Sequence, residues 1–172
     1  MNDYSSYSDE YLVESIKSSN VDAFKVLYYR YYENLYHFLC LRTNSIETAK
    51  DFIQEIFTRV WQNRGDLDKN KSIKAYLFRI ANNLVIDRFR KRRSRQDFIS
   101  QTKKNVTDNS LESITEINLA INKLPEKLRI IFILSRYHGF KYSEIAQTCN
   151  ISVKTVESRM SQALKILRDE LS

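Results

Sequence analysis

Basic side chains concentrated in one segment are the residues with the clearest chemistry. Of the 28 lysines and arginines, ten lie between Lys69 and Arg95, a window that holds a single acid, Asp87. The window therefore carries +9, and the rest of the chain carries −2 of the formal +7. A solvated charge run is the alternative, but such a local concentration favours a defined track of nucleic-acid phosphates. The basic residues that would share one face of a helix are Arg88, Lys91, Arg92 and Arg95.

The last third of the chain predicts three helices, with a helix-turn-helix spacing between the last two. Pro125 stands where the first would start, and Gly139 where it would end. We expect Ser143 to cap the second helix and Ser152 to cap the third. Asn150 takes the turn between them, where a positive φ is often needed and Asn tolerates it. A short helix, a turn and a helix with an exposed face together read the DNA major groove.

The last of these helices has a polar face that could contact base edges. Its exposed positions in the first turns are predicted to be Lys154, Thr155, Glu157, Ser158, Arg159 and Gln162. Arg159 suits guanine O6 and N7, Gln162 suits adenine, and Glu157 can accept from the cytosine amino group. The opposite face predicts a buried stripe of Val153, Val156, Met160, Leu164, Leu167 and Leu171. In the preceding helix, the inward positions are expected to be Ile145, Ala146 and Cys149.

Helices must position all of these residues. Two glycines and one proline in 172 residues, with no evident period-two apolar runs, predict an all-α fold. Before the basic segment ends we expect a helix capped by Ser8 and further helices at about 21–42, 45–63 and 73–93, with a loop at 65–72. The polar, aperiodic stretch after Arg95 predicts a flexible linker. The expected organisation is a helical domain at 1–95, a linker at 96–112 and a helix-turn-helix domain at 113–172.

Composition narrows the setting in which the chain works. Hydrophobic residues make up 42% of the chain, enough for packed cores, and the pI near 9.4 favours a polyanionic partner. No apolar run is long enough to cross a bilayer and the N-terminus lacks a signal-peptide pattern, so membrane insertion is not expected. Cys40 and Cys149 fit reduced thiols better than a disulfide, which predicts a cytoplasmic protein.

No group of residues predicts catalysis, a bound metal or a cofactor. No glycine-rich phosphate loop, nucleophile–base set or pair of catalytic carboxylates is visible. His37 and Cys40 lie three positions apart, but structural zinc needs four ligands, and packing more often explains such a pair. A tyrosine stripe could stack on bases, although we favour a role in the core. Its members are Tyr28, Tyr29, Tyr31, Tyr32 and Tyr36.

The third predicted helix has a polar stripe whose usual explanation is a solvated outer face. The stripe consists of Asp51, Gln54, Glu55, Thr58 and Arg59. Trp61, on the same helix, is expected to belong to the core rather than to a contact surface.

Four stretches, taken in order, resemble the sigma-70 family of bacterial sigma factors, in its small extracytoplasmic-function (ECF) group. DAFKVLYYRYYENLYHFL resembles the first core helix of the promoter-melting domain, and AKDFIQEIFTRVWQNR resembles the helix that docks on core RNA polymerase. SIKAYLFRIANNLVIDRFRKRRSR resembles the helix that faces the −10 element. LPEKLRIIFILSRYHGFKYSEIAQTCNISVKTVESRMSQALKILR resembles the domain that binds the −35 element.

The resemblance implies a function for each segment. Family members dock on a coiled coil of the polymerase β′ subunit, and also contact the β subunit. The resemblance assigns the β′ contact to Asp51, Gln54, Glu55 and Arg59. Family members capture an unstacked −10 base in the loop before the fourth helix. The corresponding candidates are Asn70, Lys71 and Ser72 in the loop, and Asn82 or Asn83 on the helix. A polar surface position or a helix–helix hydrogen bond is an equally good explanation of the two helical asparagines.

The same resemblance implies partners and two departures from the family pattern. It implies core RNA polymerase, promoter DNA and an anti-sigma factor, often membrane-anchored, as partners, and no catalysis by this chain. Glu157 stands where many relatives carry Lys or Arg, a departure that removes a phosphate or guanine contact. Asn150 stands where relatives often have Gly, and the turn should survive because Asn tolerates positive φ.

Two other classes of protein compete with this interpretation. A helix-turn-helix regulator would bind DNA without polymerase, and its additional domain would usually sense a ligand or dimerise. A DNA-processing enzyme, such as a recombinase, would need a nucleophile or a carboxylate metal site beside its helix-turn-helix. Copurification with core polymerase separates the first class, and a nicking assay with and without magnesium separates the second.

Overall fold

The structure is a computed structural model that describes residues 6–98 and 116–171, with side chains at 6–91 and 119–171. It divides into two compact units, Met1–Gln101 and Thr102–Ser172. The first unit contains α1 (Asp9–Lys17), α2 (Val21–Thr43), α3 (Ile46–Gln62), a 3-10 turn (Arg64–Asp66) and α4 (Ile73–Phe98). The second contains α5 (Glu116–Lys123), α6 (Glu126–Arg136), α7 (Tyr142–Cys149) and α8 (Val153–Leu171). The predicted all-α fold in two helical units is confirmed for the described ranges.

Helix α4 continues further than its sequence pattern indicates. The apolar periodicity predicts an end near Arg93, and the linker is expected from residue 96, but the helix runs through Phe98. The remainder of the predicted linker, from 99 to 112, lies outside the described residues. Basic and polar residues have adequate helix propensity of their own, so the helix can continue after its apolar stripe has ended.

Polar side chains fix the helix starts in the first unit where the sequence predicted them. Ser8 Oγ accepts from the Tyr11 N–H at 3.3 Å, and Ser45 Oγ accepts from the Thr48 N–H at 3.2 Å. Asn20, the residue before α2, caps that helix through its amide oxygen. These caps satisfy N–H groups that have no partner within the helix, each typically worth about 1 kcal/mol.

Helix α2 lies at the centre of the first unit and packs against α1, α3 and α4. Phe38 of α2 and Phe78 of α4 are fully buried, with ring centroids 5.2 Å apart in an edge-to-face arrangement. Other fully buried side chains come from all four helices: Leu12, Ile16, Leu27, Leu35, Ile53, Ile56 and Leu77. Burying each of these side chains stabilises the fold by about 1.5–3 kcal/mol, which fixes the geometry of α3 and α4.

The tyrosine stripe of α2 only partly belongs to the core. Tyr31 is buried, whereas Tyr29 has 75% of its surface exposed. Tyr28, Tyr32 and Tyr36 are half-buried and follow one another along the helix, with ring centroids 5.4 Å apart in the tilted Tyr28–Tyr32 pair and 6.0 Å apart in the stacked Tyr32–Tyr36 pair. The prediction of a core role is therefore right for Tyr31 and wrong for Tyr29, because the helix turns by 100° between neighbouring positions.

The second unit contains the predicted helix-turn-helix. Asn150 ends α7 in the left-handed conformation at φ 53°, and Gly139 follows α6 at φ 64°. Ser152 caps α8, since its Oγ accepts from the Thr155 N–H at 3.1 Å. The unit's core is formed by Ile131, Ile133, Leu134, Ile145, Val156 and Met160.

Two details of the second unit differ from prediction. Lys141, not Ser143, is the N-cap of α7, and its N–H donates to the carboxylate of Glu144 at 2.7 Å. Ser143 lies inside the first turn because the helix starts earlier, and the glutamate three residues after the cap replaces a serine hydroxyl. In α7, Cys149 is only half-buried, while Thr148 is buried in its place.

The buried stripe of α8 is narrower than predicted. Val153, Leu164 and Leu171 are 42%, 36% and 50% exposed. The residues that face the core are Val156, Met160, Ala163 and Leu167. Alternating spacings of four and three residues already complete one helical stripe, so Leu164 falls beside it and the two helix ends extend past the packed neighbours.

Candidate nucleic-acid interface

The start of α8 presents a polar surface, as the sequence predicted. Lys154, Glu157, Ser158 and Gln162 are exposed, and Thr155 and Arg159 are half-exposed. Ser152 Oγ and Thr155 Oγ1 lie 2.8 Å apart, and Gln162 Nε2 donates to Ser158 Oγ at 3.2 Å. The second contact holds the Gln162 amide along the helix surface while the side chain stays accessible.

A groove of about 610 Å³ runs between the start of α6 and the exposed face of α8. Five of the six predicted residues line it: Lys154, Thr155, Ser158, Arg159 and Gln162. Pro125, Lys127 and Leu128 line it from the side of α6. Glu157 is exposed but is not among the lining residues. The groove therefore places three cationic side chains, from Lys127, Lys154 and Arg159, around one concave surface.

Lys127 is a candidate that sequence reasoning missed. It is exposed in the first turn of α6, and it reaches the groove because α6 packs against α8. The sequence places it next to Pro125, but gives no sign that this turn adjoins residues about 30 positions further along. Only the packing of α6 on α8 reveals the neighbourhood.

The loop before α4 is exposed and has an internal hydrogen-bond framework. Asp68 Oδ1 accepts from the Asn70 N–H at 3.0 Å, and the Asp68 carbonyl accepts from the Lys71 N–H at 3.0 Å. The Asn70 N–H, followed by the charge of Lys71, lowers the pKa of Asp68. Ser72 caps α4, with its Oγ accepting from the Ala75 N–H at 3.1 Å. Asn70, Lys71 and Ser72 are all exposed, so the three predicted loop candidates form one accessible surface.

The two adjacent asparagines of α4 have different environments. Asn82 is buried, with 5% exposure, and its Oδ1 accepts from Arg42 Nη2 of α2 at 3.2 Å. This is the helix–helix hydrogen bond that we considered as its alternative role. Asn83 is exposed. Of the two asparagines, the structure therefore exposes Asn83 and buries Asn82.

The second half of α4 carries the basic face. Arg88, Arg90 and Lys91 are exposed, and the guanidinium of Arg88 lies 5.9 Å from the Phe52 ring centroid. Arg92 and Arg95 belong to the same helix, although their side chains lie outside the described residues. The uninterrupted helix keeps the three- and four-residue spacing that places Arg88, Lys91, Arg92 and Arg95 on one face.

The polar stripe of α3 lies opposite the face that packs against α2 and α4. Asp51, Gln54 and Glu55 are exposed, while Arg59 is half-exposed. Arg59 Nε forms an ion pair with Glu55 Oε1 at 2.7 Å, one turn earlier along the helix. Trp61 is half-buried and packs against Phe24 at 5.0 Å between ring centroids, which agrees with its expected role in the core.

Comparison with known proteins reveals the family. Sigma-70 region 2 matches residues 27–95, and Sigma-70 region 4 matches residues 114–167. The ECF RNA polymerase sigma factor SigW of Bacillus subtilis (strain 168) is 30% identical over an alignment of 177 positions, and 92% of this chain and 94% of SigW are covered. This chain belongs to the sigma-70 family, in its ECF group. It is a promoter-recognising sigma factor that acts in transcription initiation.

Other relatives agree with this assignment. The ECF RNA polymerase sigma factor SigX of the same organism is 27% identical, with 87% of this chain and 84% of SigX covered. CnrH, solved in complex with the cytosolic domain of CnrY, has a TM-score of 0.76 at 25% identity, with 95% and 96% of the chains covered. RpoE of Bartonella quintana, solved with the anti-sigma factor NepR, has a TM-score of 0.69 at 26% identity, with 81% and 90% covered.

Helix α1 of this sigma factor precedes the region 2 match, which begins within α2. The matched segments contain every residue that we predicted as a site from the sequence. Among the described residues, no three His, Cys, Asp or Glu side chains are arranged to hold a metal ion. His37 is exposed whereas Cys40 is buried. No described helix combines the length and hydropathy that crossing a membrane requires.

Proposed function

We propose that this sigma factor reads the −35 element with the groove between α6 and α8. The observation that supports this proposal is the convergence of five predicted base-reading residues and Lys127 on one concave surface. The first turns of a recognition helix approach base edges in the major groove. In this assignment Arg159 contacts guanine O6 and N7, and Gln162 contacts adenine.

Residues around the groove divide between reading bases and holding the backbone. Lys127 and Lys154 neutralise phosphates on either side of the recognition helix, which supplies affinity but little sequence information. Glu157 is exposed beside the groove and accepts from a cytosine amino group, or repels a phosphate where many relatives attract one. Thr155 and Ser158 supply hydroxyl contacts to the same stretch of DNA.

The −10 element is assigned to the loop before α4 and to the exposed face of that helix. Asn70 and Lys71 contact an extruded base, Ser72 holds the start of α4, and Asn83 adds an amide contact. Arg88, Lys91, Arg92 and Arg95 hold phosphates of the melted region. Extruding one base costs a few kcal/mol, which stacking and edge hydrogen bonds must offset. Asn82 has no direct contact in this proposal, because it is buried against Arg42.

Core RNA polymerase is assigned to the exposed stripe of α3. Asp51, Gln54, Glu55 and Arg59 would contact the β′ coiled coil, with further contacts to the β subunit. The Glu55–Arg59 pair is nearly half exposed on both sides, so rearranging it toward a partner costs at most about 1 kcal/mol. Polar, partly charged contacts of this kind suit a partner that binds and then dissociates.

An anti-sigma factor is the remaining proposed partner. RpoE of Bartonella quintana was solved with the anti-sigma factor NepR, and CnrH with the cytosolic domain of CnrY. We propose that a comparable protein, membrane-anchored or free, binds this chain and withholds it from polymerase. In this assignment the chain acts in the cytoplasm and contributes no catalytic group of its own to RNA synthesis.

Run-off transcription tests the assignment directly. Purified chain is added to core polymerase that lacks any sigma factor, and transcripts are mapped on a genomic library. We expect transcripts that start at a defined set of sites sharing −10 and −35 motifs. A chain that binds duplex DNA but neither copurifies with core polymerase nor selects start sites would instead be a helix-turn-helix regulator.

A further inference from the structure

We propose that α1 anchors the loop before α4, with Glu14 and Ser19 acting as positioning residues for the −10 element. This inference rests on the assignment of Asn70 and Lys71 to the −10 element. It gives a role to a helix that precedes the region 2 match and for which the sequence alone indicates no function.

Two side-chain contacts join α1 and the turn after it to the loop. Lys69 Nζ donates to both carboxylate oxygens of Glu14, at 3.0 Å and 2.9 Å. Arg64 Nε donates to Ser19 Oγ at 2.9 Å. Arg64 lies where the loop leaves α3, and Lys69 immediately precedes Asn70. The segment is therefore held at its start and again next to the residue proposed to meet the base.

The loop side of these contacts is itself ordered. Arg64 Nη1 donates to the Trp61 carbonyl at 2.8 Å, and its guanidinium lies 4.7 Å from the Trp61 ring centroid. Leu67, between the two anchor points, is buried at 6% exposure. Three successive attachments therefore leave little freedom to the backbone that leads into Asn70.

Helix α1 is firmly attached to the rest of its unit. Asp9 Oδ1 pairs with Arg30 Nη1 at 2.7 Å, and its other oxygen accepts from the Tyr31 hydroxyl. Leu12 and Ile16 are fully buried beneath the helix. An anchor needs such a fixed base, because a contact to a mobile helix would transmit no position to the loop.

An anchored loop lowers the cost of capturing a base. A flexible loop would have to be ordered on binding, in addition to extruding the base, and both costs reduce affinity. The anchor also assigns Lys69 a role apart from the other basic residues of its segment, since its ammonium is paired with Glu14. Both side chains are at least half exposed, so each contact is individually weak and sensitive to salt.

Ser19 offers a substitution that separates anchoring from stability. Its φ is 63°, a conformation that is strained for serine and relaxed for glycine. Ser19→Gly removes the hydroxyl that receives Arg64 while removing this strain. Because the strain is removed in either case, both a purely structural role and the anchor predict an equal or higher unfolding midpoint for Ser19→Gly. A purely structural role predicts unchanged promoter opening, whereas the anchor predicts weaker opening.

The experiment uses full-length variants assembled with core polymerase. Permanganate reactivity of −10 thymines measures opening, and the same assay on promoters with single −10 changes measures base preference. We expect Glu14→Ala and Ser19→Gly each to lower promoter opening about two- to fivefold. Each should also reduce the difference in opening between promoters that carry different −10 bases. Glu10→Ala, a matched loss of charge on the same helix, should leave both unchanged. Exchanging the partners, with Glu14→Lys and Lys69→Glu together, should restore opening.

Amide hydrogen exchange on the free chain tests the anchor independently of transcription. The Asn70 and Lys71 amides should exchange about two- to fivefold faster in Glu14→Ala and Ser19→Gly than in Glu10→Ala. Unchanged exchange, or wild-type opening and base preference in both variants, overturns the anchor. If the wild-type chain selects no start sites while exchange responds as expected, the proposed function fails and the anchor stands.

Discussion

The buried amide of Asn82 in α4 accepts a hydrogen bond from the guanidinium of Arg42 in α2. Both side chains are almost fully buried, and the Arg42 guanidinium also lies 5.7 Å from the Phe38 ring centroid. The contact joins the central helix of the first unit to the helix that carries the basic face. A polar contact in this position fixes the rotation of α4 as well as its distance from α2, because hydrogen bonds are directional.

Replacing Asn82 should lower stability, whereas replacing the adjacent Asn83 should weaken −10 binding. Asn82→Ala removes an acceptor from a buried guanidinium and should lower the free energy of unfolding by about 1–3 kcal/mol. Asn83→Ala should leave stability within about 0.5 kcal/mol, as for an exposed residue, and should weaken −10 binding. Urea unfolding and single-stranded −10 oligonucleotide binding by holoenzyme measure the two effects. Equal loss of stability in both variants would contradict the assignment.

Arg159→Ala should change sequence preference. Removing a bidentate guanine contact is expected to cost about 1–3 kcal/mol at one −35 base pair and to relax the preference there. Competition binding of duplexes that carry each base at every −35 position measures the change. A uniform loss across all duplexes would instead make Arg159 a phosphate contact.

Lys127→Ala should weaken all sequences alike. A lost phosphate contact is expected to reduce the slope of log affinity against log salt by about one. Lys165 is an exposed lysine of α8 that does not line the groove. Comparing Lys127→Ala with Lys165→Ala therefore separates the effect of the groove position from the effect of losing one positive charge. Identical slopes for these two variants would exclude Lys127 from the DNA contact.

Reversing the charge on α3 should weaken polymerase binding selectively. Arg59→Glu with Gln54→Ala removes two proposed contacts and places a second carboxylate beside Glu55, while the −35 groove lies in the other unit. We expect lower affinity for core polymerase by calorimetry and unchanged binding to a −35 duplex. The control is Lys25→Glu, which replaces the exposed cation paired with Asp22 on α2 by a carboxylate. Unchanged core affinity in the double variant would refute the docking face.

Tyr31→Phe should loosen α1 without changing the core volume. The lost hydrogen bond to the Asp9 carboxylate is expected to cost about 1.5–3 kcal/mol of unfolding free energy, whereas Tyr29→Phe should cost little because Tyr29 is exposed. Burial, followed by the contact with Asp9, raises the pKa of Tyr31 above its ordinary value of 10.0. The phenol therefore stabilises the fold fully below that pH, and its contribution is lost as pH rises through the alkaline range. The difference in unfolding midpoint between Tyr31→Phe and the wild type should therefore be smaller at alkaline pH than at neutral pH.

Local signals in the sequence were sufficient for much of the fold. Ser8, Ser45 and Ser152 act as caps through their own neighbours, and the turn at Asn150 depends on a single φ angle. The prediction at Ser143 was wrong because a glutamate after Lys141 satisfied the helix start instead. Such a competition between two local solutions is decided by less than the strength of one hydrogen bond.

The parts of the site that depend on packing could not be predicted. Asn82 and Asn83 are adjacent residues of the same type, and only the rotation of α4 against α2 buries one of them. Lys127 meets the groove because α6 crosses the start of α8, and Glu14 meets Lys69 across 55 positions of sequence. No periodicity within a single helix carries this information, because it describes which face is buried and not which helix covers it.

The loop before α4 lies between two fixed points, the buried Leu67 and the helix cap Ser72. Asn70 and Lys71, between these points, are exposed, so their side chains can be replaced without disturbing the hydrophobic core or the start of the helix. These exposed positions of the loop can therefore vary in sequence independently of the helices that surround them. Substitutions at these two positions would change the side chains presented at the surface, whereas the anchored backbone and the helices around it would stay the same.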